Sequence, residues 1–208
     1  MINEYDFGPA RVEWDERHAS LLRDFLDELS RKEIRYVILK NDDGLPFENH
    51  SKDVDIVIEP GLYDNAAKVI QDCYKRHGIT HYKIHKFERL RCWYGMNPDT
   101  HFAIHIDLLE GFLHKGFEIF PFETFYEHSF ENNNGIRVLN ELMGSVVLLL
   151  HCTICYHSIK EKYVRIIADS YLKQRERFID ILKPILGRKS TLVIVRLLDA
   201  GNYKQIAL

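Results

Sequence analysis

Long apolar runs are scarce in this sequence of 208 residues. The longest, around residues 146–150, is soon interrupted by His151 and Cys152, well short of the ~20 apolar residues that a bilayer-spanning helix needs. No membrane span is expected. Basic charge is not in excess either: 28 Lys and Arg stand against 31 Asp and Glu, a formal net charge of -3. Affinity for a nucleic-acid backbone rests on many basic contacts, so nucleic acid is not the expected partner. Cysteines are few, at 73, 92, 152 and 155, and do not make the dense framework of a small secreted domain. The opening residues MINEYDFGPARVEWDERH are polar and acidic, unlike a secretory leader, and the expected location is cytoplasmic. Repeats and low-complexity tracts are missing. What remains is a globular composition, 46% hydrophobic and 28% charged, enough for one substantial core or a small domain with a helical appendage.

The informative stretch is 34–59, IRYVILK-NDDGLPFENHSK-DVDIVIE. Residues 34–40 form a short, nearly continuous apolar run of β-branched and aromatic residues, which predicts a strand buried on both faces. Twelve residues carrying Gly, Pro, Asn, Asp and Ser follow, a loop by composition. The strand over 53–58 then alternates at its start. Asp53 and Asp55 project to one face; Val54, Ile56 and Ile58 project to the other. Two carboxylates held side by side repel each other, and a cation relieves that cost. Left alone, such a pair is ordinarily just solvated.

A second stretch changes the weighing. Residues 101–108, HFAIHIDL, alternate throughout, with Phe102, Ile104, Ile106 and Leu108 on one face and His101, Ala103, His105 and Asp107 on the other. If this strand pairs near the first two acids, Asp107 becomes a third carboxylate in the cluster. Three oxygen ligands on a rigid sheet suit Mg²⁺, which fills the rest of its octahedron with water and substrate phosphate. Phosphoryl and nucleotidyl transfer need that arrangement, because charge builds on the transferred phosphate. His101 and His105, on the same predicted face, are expected to line the cleft; as direct ligands they would move the preference toward Mn²⁺ or Zn²⁺.

A buried strand, a turn-rich loop, Asp-x-Asp on the next strand and a later hydrophobic-Asp-hydrophobic strand resemble the nucleotidyltransferase superfamily, which includes DNA polymerase β-like enzymes. The likeness is to its small bacterial members, some linked to surface polysaccharide synthesis, and covers about residues 34–111. The resemblance implies an α+β fold, a mixed sheet with helices on one face followed by a helical C-terminal half, divided at 1–139 and 140–208. It implies that Asp53, Asp55 and Asp107 bind Mg²⁺ (or Mn²⁺), with Asp107 also helping to activate the attacking hydroxyl. Nucleoside triphosphate and a small-molecule acceptor are the implied partners. Where the family carries Gly-Ser after the first strand, this sequence carries Lys40-Asn41. Phosphate contacts then fall to side chains, Lys40 as a point charge and Asn41 as a donor. Similar family members bring basic residues from the helical half to the triphosphate, which here points to Lys160 and Lys162.

The remaining chain is read more briefly. Apolar spacing predicts a helix over 15–32 and another from Pro60-Gly61 to 76, stopped by Gly78. Short strands over 82–87 and 90–94 and a turn at Asn97-Pro98-Asp99 complete an antiparallel meander. Residues 114–130 read as loop with a short helix at 121–127, and Phe112, Phe117, Phe120, Phe122 and Phe125 as core. Asn140 is placed to cap a long helix, broken later near Pro184 and Gly187. Cys152-x-x-Cys155 lies within that helical pattern and reads as core rather than as a zinc or redox motif. From 160 to 196 there are ten Lys or Arg against four acids, mostly a solvated face. The alternative to an enzyme is a non-catalytic relative that keeps the fold for binding or regulation, favoured by the absent Gly-Ser.

Overall fold

The computed structural model describes residues 14–40, 42, 44–49, 51–87 and 89–206. Asn41 lies outside them. Helix α1 (Glu16–Arg31) starts where the Asp15 carboxylate accepts hydrogen bonds from the N–H groups of Arg17 and His18, satisfying donors that the first turn leaves open. Its stripe of Leu21, Leu22, Phe25, Leu26 and Leu29 is wholly buried. Helix α2 (Tyr63–Arg76) presents Ala66, Val69, Ile70 and Cys73 in the same way and ends just before Gly78, whose φ of +70° suits a glycine.

Strands β1 (Tyr36–Ile38) and β2 (Val54–Ile58) are antiparallel to each other and buried throughout. Strands β3 (His81–Phe87), β4 (Leu90–Asn97) and β5 (Phe102–Leu109) form the expected meander. A separate hairpin, β6 (Phe112–His114) with β7 (Phe117–Phe120), leads into helix α3 (Phe122–Glu127) and then to β8 (Ser129–Glu131) and β9 (Arg137–Leu139). Seven strands join one mixed sheet in the order β3-β4-β5-β2-β1-β9-β8, with β2 parallel to β5 and β1 parallel to β9.

Period-two alternation decides what each face meets. Tyr36, Ile38, Val54, Ile56, Ile58, Ile104, Ile106 and Leu108 share one core with α1 and α2. Val37, Leu39 and Val57 point the other way, into a second core with α3, α4 (Glu141–Leu150), α5 (Glu161–Lys173) and α6 (Arg175–Asp199). Helices therefore meet both faces of the sheet, not one. Asn140 caps α4 as anticipated, its side chain accepting from the Met143 N–H at 2.9 Å. Gly187 interrupts α6 with φ 72° and ψ 164°, where a break was expected. No helix among the described residues is long and apolar enough to cross a membrane.

Three expectations need correction. Residues 114–120, expected as loop, belong to the β6–β7 hairpin, and within the aromatic group Phe117 is 78% exposed while Phe112, Phe120, Phe122 and Phe125 are core. His101 does not begin β5: it closes a 3-10 turn at φ 51°, so the alternation it seemed to start begins at Phe102. The C-terminal helical run is also less regular than its composition suggests. At His151–Cys155 α4 widens into a π turn, and α5 restarts at Glu161.

Candidate metal centre

Parallel pairing of β2 with β5 sets Asp55 directly opposite Asp107. Asp53 stands two residues earlier on the same face. The reverse face of both strands is core, so a one-residue slip would turn Val54, Ile56 and Ile106 out of that core and drive the acids into it. The hydrophobic pattern thus holds three like charges together. Oxygen atoms of Asp53, Asp55 and Asp107 lie within 4.8 Å of one another, and Asp55 and Asp107 are buried.

Each acid has its own support. Ser51 Oγ donates to Asp53 Oδ1 at 2.8 Å, and Asn49 Nδ2 donates to the Asp53 carbonyl, fixing the loop end before β2. His105 Nε2 lies 2.7 Å from Asp107 Oδ1. The Lys40 ammonium stands 3.2 Å from Asp55 Oδ2, an ion pair rather than a directed hydrogen bond. That oxygen is buried and has no hydrogen-bond donor among the described residues. The Lys40 charge offsets part of the cost of burying this oxygen, and a coordinated cation would offset more of the charge that the three carboxylates gather. With three carboxylates converging, the donor set is all oxygen and fits a hard divalent ion such as Mg²⁺ or Mn²⁺.

The electrostatics follow from burial. Burial pushes the Asp55 carboxyl up to about 7; Lys40 opposes the shift, and Asp53 and Asp107 add to it. Burial works against the charge on Lys40, but Asp55 and Asp53 outweigh it and hold the ammonium above its ordinary range. His105 is likewise raised, its burial overcome by the hydrogen bond and charge of Asp107. His151 moves the other way, to about 3, through burial and then the nearby charges of Lys40 and Lys160. Lys40 Nζ reaches His151 Nδ1 at 3.4 Å. An ammonium can only donate, so this ring nitrogen accepts and the imidazole is neutral.

Lys40 was expected as a point charge for phosphate, which calls for an ammonium open to the substrate. It turns inward instead, with its side chain 12% exposed between Asp55 and His151. Lys160 immediately precedes α5, its ammonium lies 4.5 Å from the Tyr156 ring centre, and its charge is felt at His151. Lys162 instead sits 4.8 Å over the Tyr163 ring, on an exposed position of α5. His101 lines a different cleft, with Trp14, His18 and Phe102. His151 and Tyr156 were not anticipated at the site. Both belong to the segment that unwinds after α4, where a helical reading gives no hint of which side chain turns toward the sheet.

No known family model matches the sequence, and no curated protein does. Among solved structures, a chain of the polymerase core of TRAMP, an RNA surveillance complex, is similar at 13% identity. The match covers 88% of this chain and 55% of that one, with a TM-score of 0.32, so this chain spans about half that structure's length.

Proposed function

We propose that this chain is a metal-dependent nucleotidyltransferase that moves a nucleoside monophosphate from a nucleoside triphosphate to the hydroxyl of a small molecule. One observation carries the reading: three carboxylates, from neighbouring parallel strands, converge within 4.8 Å beside a buried lysine. Asp53, Asp55 and Asp107 would hold Mg²⁺ or Mn²⁺, which when bound neutralises charge on the transferred phosphate. Asp107 takes the proton of the acceptor hydroxyl, and His105, 2.7 Å from Oδ1, orients that carboxylate. The acceptor oxygen bonds to the α-phosphorus as the bond from phosphorus to the α,β-bridging oxygen breaks, and pyrophosphate leaves. Lys40 and Lys160 supply fixed positive charge to the triphosphate in place of the backbone donors of a Gly-Ser turn, and Asn41 is a further candidate donor. Lys162, by its position over Tyr163, is the weaker candidate.

A second reading rests on Lys40 itself. Its ion pair with Asp55 neutralises part of the acidic cluster without a metal, as a non-catalytic relative that binds or regulates would need. Thermal unfolding with Mg²⁺ or Mn²⁺ and each nucleoside triphosphate, followed by an assay for pyrophosphate release, separates the two. The enzyme reading expects a rise in Tm that needs both metal and triphosphate and disappears in Asp53→Asn. A parent chain that binds no triphosphate with either ion would hand the case to the non-catalytic reading.

A further inference from the structure

Asp107 and His105 also belong to a second group of donors, completed by Cys92, which the proposed chemistry does not use. Antiparallel pairing of β4 with β5 sets Cys92 directly opposite Asp107, so both side chains leave the same face of the sheet. His105, two residues before Asp107, shares that face. Its ring is stacked on Tyr94 with centres 4.1 Å apart and planes at 25°, which fixes the imidazole with Nε2 toward Asp107. Ligand atoms of Cys92, His105 and Asp107 lie within 4.8 Å of one another. One sulfur, one nitrogen and one oxygen make a donor set unlike the all-oxygen cluster beside it.

We infer that Cys92, His105 and Asp107 form a second metal site, for a borderline-soft divalent ion of the zinc type, next to the oxygen site and sharing Asp107 with it. Thiolate and imidazole select such ions over Mg²⁺, whose preference is for oxygen. Zinc holds sulfur at about 2.3 Å and nitrogen or oxygen at about 2.0–2.2 Å, so roughly an ångström of side-chain motion gathers these three donors around one ion. Binding forms a sulfur–metal bond and releases the Cys92 thiol proton to solvent. Three protein ligands leave a fourth position of a tetrahedral ion for water or substrate, the pattern of zinc sites that exchange them. The inference goes beyond nucleotidyl transfer and does not need it. Without such an ion, the thiol and the imidazole serve only as partners that satisfy Asp107.

The test uses the full chain and Co²⁺ as a spectroscopic stand-in for zinc, titrated without Mg²⁺. A cobalt–thiolate bond gives a charge-transfer band in the near ultraviolet. The expected result is one equivalent of Co²⁺, a band displaced by Zn²⁺, and its loss in Cys92→Ser. His105→Asn should weaken binding by more than the roughly 10- to 100-fold typical of losing only an outer partner of a ligand. This second variant keeps the question decidable if the serine variant folds poorly. Cys155→Ser should leave the band intact, although Cys155 Sγ lies 3.7 Å from His114 Nδ1 and is the competing thiol–imidazole pair. Asp53→Asn should also keep the band while losing the response to Mg²⁺, which separates this site from the oxygen cluster. No band in the parent at saturating Co²⁺, or a band that survives Cys92→Ser, overturns the inference.

Discussion

Replacing Lys40 with methionine removes the cation beside three carboxylates while nearly conserving the volume of its side chain. The Lys40 ammonium is 3.2 Å from Asp55 Oδ2 and its side chain is almost fully buried. Removing one partner of a buried pair costs about 3–5 kcal/mol when the other stays charged. Asp55 can escape that cost by taking up a proton. Its carboxyl already sits at about 7 through burial, with Lys40 pulling it down, and loss of Lys40 raises it further. Above about pH 7 the folded parent therefore holds an ionised Asp55, whereas the folded variant keeps a proton that its unfolded chain has long released. The folded variant then binds more protons than the unfolded one, so its stability falls as pH rises. The deficit should be small on the acid side of 7 and grow by about 1.4 kcal/mol per pH unit above it, up to that limit. At roughly 2–4 °C per kcal/mol for a chain of this size, the full effect is a Tm lower by about 6–20 °C. Scanning calorimetry or thermal unfolding across pH, without divalent ions, measures it. Saturating Mg²⁺ should narrow the gap, and Lys40→Met with Asp55→Asn should recover most of the loss. A variant within about 0.5 kcal/mol of the parent at every pH, the range of an ordinary surface change, would refute the reasoning. So would a deficit that shrinks as pH rises.

Asp107→Asn should leave metal-free stability unchanged or slightly raised, since a like charge is removed while an oxygen remains to meet His105, but should abolish pyrophosphate release; a large fall in Tm would make Asp107 a structural acceptor instead. His151 stays neutral to about 3 in the fold but titrates near 6.5 when unfolded, so the unfolded chain binds more protons between those values and acid removes stability. His151→Gln should flatten acid unfolding in that window by up to about 1.4 kcal/mol per pH unit; an unaltered pH profile would exclude the buried neutral ring. Lys160→Ala should weaken triphosphate binding by about tenfold to a hundredfold, as loss of a charge-assisted contact does, and nucleoside binding far less, while Lys162→Ala leaves both alone in calorimetric titration. Gly95→Ala places a methyl 2.8 Å from Tyr74 Cε2 within a buried part of β4 and should cost about 1–3 kcal/mol by overpacking, read from denaturant unfolding.

Much of the acidic cluster was legible because one face of its strands is purely apolar. Val54, Ile56 and Ile58, and likewise Ile104, Ile106 and Leu108, commit alternate residues to the core and leave Asp53, Asp55 and Asp107 with the other face. Asn140 was legible for a local reason: a cap depends on three neighbouring residues. The inward turn of Lys40 was not, because a lysine at the end of an apolar strand is ordinarily solvated. Its burial depends on Asp55 across the sheet and on His151, 111 residues away. His101 was misplaced since one left-handed residue after the Pro98 turn stops the strand without breaking the pattern of residue types. The β6–β7 hairpin was missed because neither strand alternates: Phe117 is exposed and Phe120 buried, with a register shift at Phe112 and Leu113.

The position of β1 in the sheet has a consequence for how the chain is made. The three acid-bearing positions and Lys40 have all been synthesised by Leu109, yet β1 keeps one unpaired edge until β9 arrives, where Ile38 meets Val138. Val37, Leu39 and Val57 also lack much of their cover at that stage, because α4, α5 and α6 of their core come later still. A nascent or shortened chain ending before Arg137 would therefore display an apolar strand edge next to an incompletely covered apolar face, the combination that recruits other strands. Such a fragment should self-associate rather than stand alone, even though every carboxylate of the cluster is already in it.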